Sequence, residues 1–154
     1  MSVFVHPTSD VQTKHLGDKT QVWQFCVVLP GAVIGQQVNI CAHTFIENQV
    51  IIGDRVTVKC GAQLYDGVTL EDDVFVGPGV VFTNDRYPRS HNPDWQLLPT
   101  LVKQGASIGA NATILPGVTI GPGAMIGAGS VVTTDVPAGG TVVGNPATVL
   151  PTHR

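Results

Sequence analysis

Residues 16–82 read LGDKTQVWQFCVVLPGAVIGQQVNICAHTFIENQVIIGDRVTVKCGAQLYDGVTLEDDVFVGPGVVF, and an aliphatic or aromatic residue occupies every sixth position. The series is Leu16, Val22, Val28, Ile34, Ile40, Ile46, Ile52, Val58, Leu64, Leu70, Val76 and Phe82. A second column, Val38, Thr44, Val50, Val56, Ala62, Val68, Val74 and Val80, takes only small or β-branched residues. Neither a helical period nor strand alternation produces a strict six. A hexapeptide repeat does, and it predicts an all-β parallel β-helix whose stacked coils bury one continuous core.

The hexads resume, shifted by two, at Val102, Ile108, Ile114, Ile120, Ile126 and Val132. Their companions are Ala106, Ala112, Val118, Ala124, Ser130 and Val136. A β-sandwich would show irregular loops and turn signals at about 8–12 residues rather than a lattice of sixes. With 18 glycines, 11 prolines and only 12% charged residues, the composition suits tight corners. The formal charge of −3 argues against a general nucleic-acid binder. No apolar run is long enough for a membrane span, and MSVFVHPTSD lacks the character of a signal peptide. Cys26, Cys41 and Cys60 have no metal-ligand spacing and read as buried, reduced thiols of a cytoplasmic protein.

A single domain, 1–154, is expected. Residues 1–15 read as an irregular capping turn. Gly17, Gly35 and Gly53 recur every eighteen residues, three hexads, which predicts a triangular coil of three short strands with glycine at one corner for positive φ or tight approach. Stacking at eighteen places Asn48, Asp66 and Asn84 in a polar ladder, with Glu47, Tyr65 and Thr83 beside it. The ladder runs into residues 84–101, NDRYPRSHNPDWQLLPTL, which break the hexads and are expected to project as a loop walling a binding site. The following glycine- and alanine-rich coils offer a smooth outer face, and the 141–154 tail leaves the hexad and ends the helix.

The hexads, the closing VVGNPA and the interrupting loop resemble the hexapeptide-repeat acyltransferases. That resemblance covers nearly the whole chain and implies a left-handed β-helix, a homotrimer and acetyl-CoA as co-substrate, with no metal. VHPTS near the start, HTFIEN (43–48), FTND (82–85) and YPRS (87–90) look most like enzymes that N-acetylate dTDP-3-amino-3,6-dideoxyhexoses for bacterial surface polysaccharides such as O-antigen. A sister group acting on UDP-linked 2-acetamido-3-amino-glucuronate shares the FTN and VHP features. The resemblance places acetyl-CoA along the C-terminal coils, with Gly105, Ala106, Ala124, Gly144, Asn145 and Pro146 as contacts. A basic residue commonly follows the Ala of VGNPA in this family, but here it is Thr148, leaving Lys103 or Arg154 to meet a phosphate.

Acetyl transfer to a neutral sugar amine needs alignment and a donor for the developing oxyanion more than a strong base. Backbone N–H groups near Gly105–Ala106 are candidate donors. Asn84 is the first candidate for orienting the amine, since its side-chain oxygen can accept from the nucleophile. Asp85 and Asp66 could serve as bases if burial raised their pKa values. His43 is a further candidate base, but its corner differs from that of Asn84, so the two could meet only across a subunit interface. Glu47 could orient His43 or contact sugar hydroxyls, and Asn48 belongs to the same substrate-facing ladder. Arg86 and Arg89 suit a diphosphate, while Tyr65, Tyr87 or Trp95 could stack on a pyrimidine.

Other classes fit less well. A γ-class carbonic anhydrase needs three histidines converging on a metal, yet only His43 lies inside the coils. A non-catalytic structural β-helix would repeat one residue type along a face. An O-acetyltransferase stays open, and its weaker nucleophile would demand a true base such as His43.

Overall fold

The structure, a computed structural model, describes residues 2–151. All its regular elements are short β-strands, 22 in number, arranged in three sheets of nine, seven and six strands. Face A begins with Phe4–Val5 and Gln21–Val22, face B with Asp10–Val11 and Val27–Val28, and face C with His15–Leu16 and Val33–Ile34. The chain visits A, B and C in turn, and each strand except the last pairs in parallel with its neighbour on the same face. The architecture is a left-handed parallel β-helix with three strands per coil.

The hexad columns form its interior. Val22, Ile40, Val58 and Val76 on face A, Ile46, Leu64 and Phe82 on face B, and Ile52 and Leu70 on face C are all buried, as is the companion column. Each fully buried aliphatic side chain contributes about 1.5–3 kcal/mol, and the inter-coil ladder satisfies the backbone, as in Val33 N–H to the Val50 carbonyl at 3.0 Å.

The register is eighteen residues over most of the chain, as in Val33↔Ile51 and Thr57↔Phe75. The glycines at that interval answer to close approach, not positive φ. A Cβ on Gly35 would fall 2.7 Å from the Gly53 carbonyl carbon, too close for any side chain. Left-handed residues recur instead at the turns, at Phe25, His43, Gly61, Gly79, Asn111 and Gly129 on the A/B corner.

Three sequence expectations change. Residues 4–16 are not an irregular cap, because Phe4–Val5, Asp10–Val11 and His15–Leu16 pair with the following coil, the first two at a register of seventeen. The projecting loop ends before residue 100, since Thr100–Val102 is a face C strand pairing Val68↔Thr100 and Leu70↔Val102. Leu70 and Val102 are 32 residues apart where eighteen is usual, so the loop inserts fourteen and accounts for the shift of the hexads. Of the cysteines only Cys26 is buried, while Cys41 is half-buried and Cys60 exposed. Burial pushes the Cys26 and Cys41 thiols up from the ordinary value.

At the C-terminal end Thr141–Gly144 joins face A beside Met125–Ile126. Ala147–Val149 then folds back antiparallel on it, with a cis Asn145–Pro146 peptide in the turn. No helix among the described residues is long and apolar enough to cross a membrane.

Candidate active site

The corner between faces B and C carries most of the predicted substrate residues, because eighteen-residue stacking lines them up. The Asn48 side-chain oxygen accepts the Gly31 N–H at 2.9 Å, and the Asp66 carboxylate accepts the Gln49 N–H at 2.8 Å. The Asn84 amide nitrogen donates to the Asp66 carbonyl at 3.3 Å. Each rung thus binds the backbone of the coil before it. Glu47 accepts the Asp66 N–H at 2.7 Å, which ties it to this corner and away from His43, so it does not orient that imidazole.

At the top of the ladder, Tyr65, Thr83, Asn84, Asp85 and Pro88 line a cavity of about 220 Å³. Tyr65 is half-buried, with its ring 5.8 Å from that of Phe45. The Asn84 carbonyl oxygen has no partner among the described residues. Asp85 accepts the Tyr87 N–H at 3.0 Å and so shapes the start of the loop.

The loop returns along the same corner. Leu97 covers Gly67, whose φ of 94° and lack of side chain admit it: a Cβ there would sit 3.1 Å from Leu97. Within the loop lies a second cavity of about 230 Å³, lined by Asp85, Arg86, Tyr87, Asn92, Asp94, Trp95, Gln96 and Leu98. Arg86 therefore shares a pocket with both loop aromatics. Arg89 does not, and its guanidinium donates to the Pro88 carbonyl at 2.8 Å. Asn92 and Gln96, which pattern reading missed, add amide donors and acceptors to that pocket.

His43 stands apart. It occupies the A/B corner, one triangle edge from Asn84, and stacks on Phe25 with ring centroids 5.1 Å apart and planes at 28°. Within one chain the two candidate catalytic residues are not brought together.

The predicted cofactor contacts divide. Ala106 and Ala124 are buried in the inner columns, and their N–H groups donate to the Lys103 and Gly121 carbonyls at 3.2 Å. The Gly105 N–H likewise donates to the Asp72 carbonyl at 3.0 Å, so the Gly105–Ala106 pair holds no spare oxyanion donor. Gly105 itself, at φ 71° with open space where a Cβ would be, remains accessible at the corner entering face A. Gly144, Asn145 and Pro146 are exposed where that face ends at the last coil. Arg154 lies outside the described residues.

This fold and repeat place the chain in a known class: it belongs to the hexapeptide-repeat transferases. The bacterial transferase hexapeptide (six repeats) family pattern matches residues 49–84 and 99–134. The chain is 54% identical over 146 residues to dTDP-3-amino-3,6-dideoxy-α-D-galactopyranose 3-N-acetyltransferase of Aneurinibacillus thermoaerophilus, covering 95% of this chain and 76% of that protein. It is 38% identical to nodulation protein L of Rhizobium meliloti, covering 87% and 78% respectively. Among solved structures, a hexapeptide-repeat acetyltransferase of Vibrio cholerae complexed with acetyl-CoA matches with TM-score 0.67 and 28% identity, over 93% of this chain and 73% of that one. A perosamine N-acetyltransferase of Caulobacter crescentus, solved with CoA and GDP-perosamine, shares the fold at TM-score 0.62 and 22% identity. This chain, 98% covered, spans 54% of it.

Proposed function

We propose that this protein transfers the acetyl group of acetyl-CoA to the 3-amino group of a dTDP-3-amino-3,6-dideoxyhexose, with the galacto sugar as substrate. The observation that carries this reading is the 54% identity across nearly the whole chain to an enzyme of that activity. The ladder corner is in keeping with it. The Asn84 carbonyl oxygen is free to accept a hydrogen bond from the substrate amine, which fixes the lone pair toward the thioester. The nitrogen attacks the thioester carbonyl carbon, the carbon–sulfur bond breaks, and the departing thiolate takes the amine proton.

In this reading Arg86 pairs with the diphosphate, and Tyr87 or Trp95 stacks on the pyrimidine in the loop cavity. Glu47, Asn48, Tyr65 and Asp66 border the sugar, and Asp85 shapes the loop. Acetyl-CoA lies against the C-terminal coils near Gly105 and Gly144–Pro146. The enzyme works as a homotrimer in the cytoplasm, supplying a precursor of surface polysaccharide. Val33 and Ile51, apolar and exposed on the outside of face C, support packing between prisms. Subunit packing would also let His43 of one chain face the Asn84 corner of another.

The test is release of CoA thiol with dTDP-3-amino-3,6-dideoxygalactose, its gluco epimer and the UDP-linked 3-amino-glucuronate. Turnover is expected with the galacto sugar. Turnover with the UDP sugar alone would overturn the substrate assignment, and silence with all three would overturn amine acetylation.

A further inference from the structure

The A/B corner places a left-handed residue at six successive coils, Phe25, His43, Gly61, Gly79, Asn111 and Gly129, with φ between 58° and 75°. Glycine and asparagine take that conformation at low cost, whereas a bulky aromatic residue does not. Phe25 holds it at φ 58° while 54% exposed, so core burial offers little return. Strained residues of this kind persist where the surroundings over-determine them, often beside functional groups.

The surroundings here are specific. The Phe25 N–H donates to the Thr8 hydroxyl at 3.2 Å, and that hydroxyl is 2.9 Å from His6 Nδ1, which also accepts the Thr8 N–H. Ser9 accepts the next N–H along, that of Cys26, at 3.1 Å. The VHPTS segment thus clamps the Phe25 turn. What Phe25 does in return is stack on His43. Neither ring nitrogen of His43 has a hydrogen-bond partner among the described residues, so the stack is what restrains the imidazole plane.

We infer that Phe25 is a positioning residue: held by Thr8 and Ser9, it fixes the His43 ring so that a free nitrogen edge faces the substrate. This inference rests on the proposed acetyl transfer with His43 at the substrate. Nothing in the sequence pattern assigns Phe25 this task, and it gives the VHPTS segment a role in the site as well as in the first coil.

The experiment uses the full chain with acetyl-CoA and the dTDP-amino sugar, comparing Phe25→Gly, Phe25→Tyr, His43→Ala and the double variant Phe25→Gly/His43→Ala. Glycine is the residue that three other coils place at this corner, so Phe25→Gly is expected to fold with a melting temperature at or above that of the parent. Its kcat is expected to fall roughly 5–10-fold, and Phe25→Tyr, which keeps the stack, to stay within about twofold. The double variant is expected to be no slower than His43→Ala alone, because a residue acting through His43 has nothing to act on once the imidazole is gone. Full activity of Phe25→Gly beside an impaired His43→Ala would overturn the Phe25 inference alone. Additive losses would overturn it too. Wild-type activity of His43→Ala would instead remove His43 from the site.

Discussion

The Asn84 side-chain amide donates to the Asp66 main-chain carbonyl one coil earlier, at 3.3 Å. That bond uses the nitrogen end of the amide and sets its oxygen end as the acceptor at the mouth of the corner cavity. Asn84→Ala removes the acceptor without touching the inner columns. It is expected to lower kcat by roughly 10–100-fold, the equivalent of about 1–3 kcal/mol for one lost hydrogen bond in a positioned complex. Its KM for acetyl-CoA should change little, and steady-state kinetics on both substrates read the two apart. A loss confined to the KM for acetyl-CoA would place Asn84 on the donor side instead.

The inner columns were legible in advance because a strict period of six converts directly into which side chains face inward, and every named member from Val22 to Val132 is buried. The Asn48–Asp66–Asn84 ladder was legible for a related reason, since a three-strand coil fixes which residues stack. Legibility stops where the period does. The walls of the loop cavity, Asn92 and Gln96 among them, depend on how a non-repeating segment folds on itself. The burial of Ala106 and Ala124 follows from the period, since small residues serve the inner column as readily as an outer groove. Phe25 and His43 are eighteen apart, so their adjacency was readable. Their stacking was not, because it depends on left-handed φ values that the residue types argue against.

Thr100 hid the end of the loop for a physical reason that also makes a prediction. It fills an inward position opposite Val68, only 2% exposed, and its hydroxyl has no hydrogen-bond partner among the described residues. Threonine serves the companion column elsewhere, as Thr44 does, but the position six residues before Thr100 is Asp94, so no unbroken period leads up to it. Replacing the buried hydroxyl with a methyl group of similar shape removes an unsatisfied polar atom. Thr100→Val is therefore expected to stabilise the fold by about 1–2 kcal/mol. For a chain of this size that raises the melting temperature by a few degrees, roughly 2–4 °C per kcal/mol. Thermal unfolding followed by far-UV circular dichroism tests this, and a lowered melting temperature would show that the hydroxyl is satisfied in solution.

The two loop arginines are three residues apart, exposed and indistinguishable by type, yet the structure separates them. Arg86 lines the 230 Å³ cavity together with Tyr87 and Trp95, while Arg89 lies outside it and donates to the Pro88 carbonyl next to it in the chain. A diphosphate bound beside a pyrimidine in that cavity would meet Arg86. Charge-assisted hydrogen bonds of this kind are worth about 1.5–3 kcal/mol. Arg86→Ala is accordingly expected to raise the KM for the dTDP-sugar roughly 10–100-fold, with a smaller effect on kcat at saturation. Arg89→Ala is expected to change that KM by less than about twofold, because an exposed arginine bonded to its neighbour's backbone carries little binding energy. Measuring KM for the nucleotide sugar in both variants decides the matter. An Arg89 effect equal to or larger than that of Arg86 would move the phosphate contact to the outer edge of the loop and leave the cavity to the base alone.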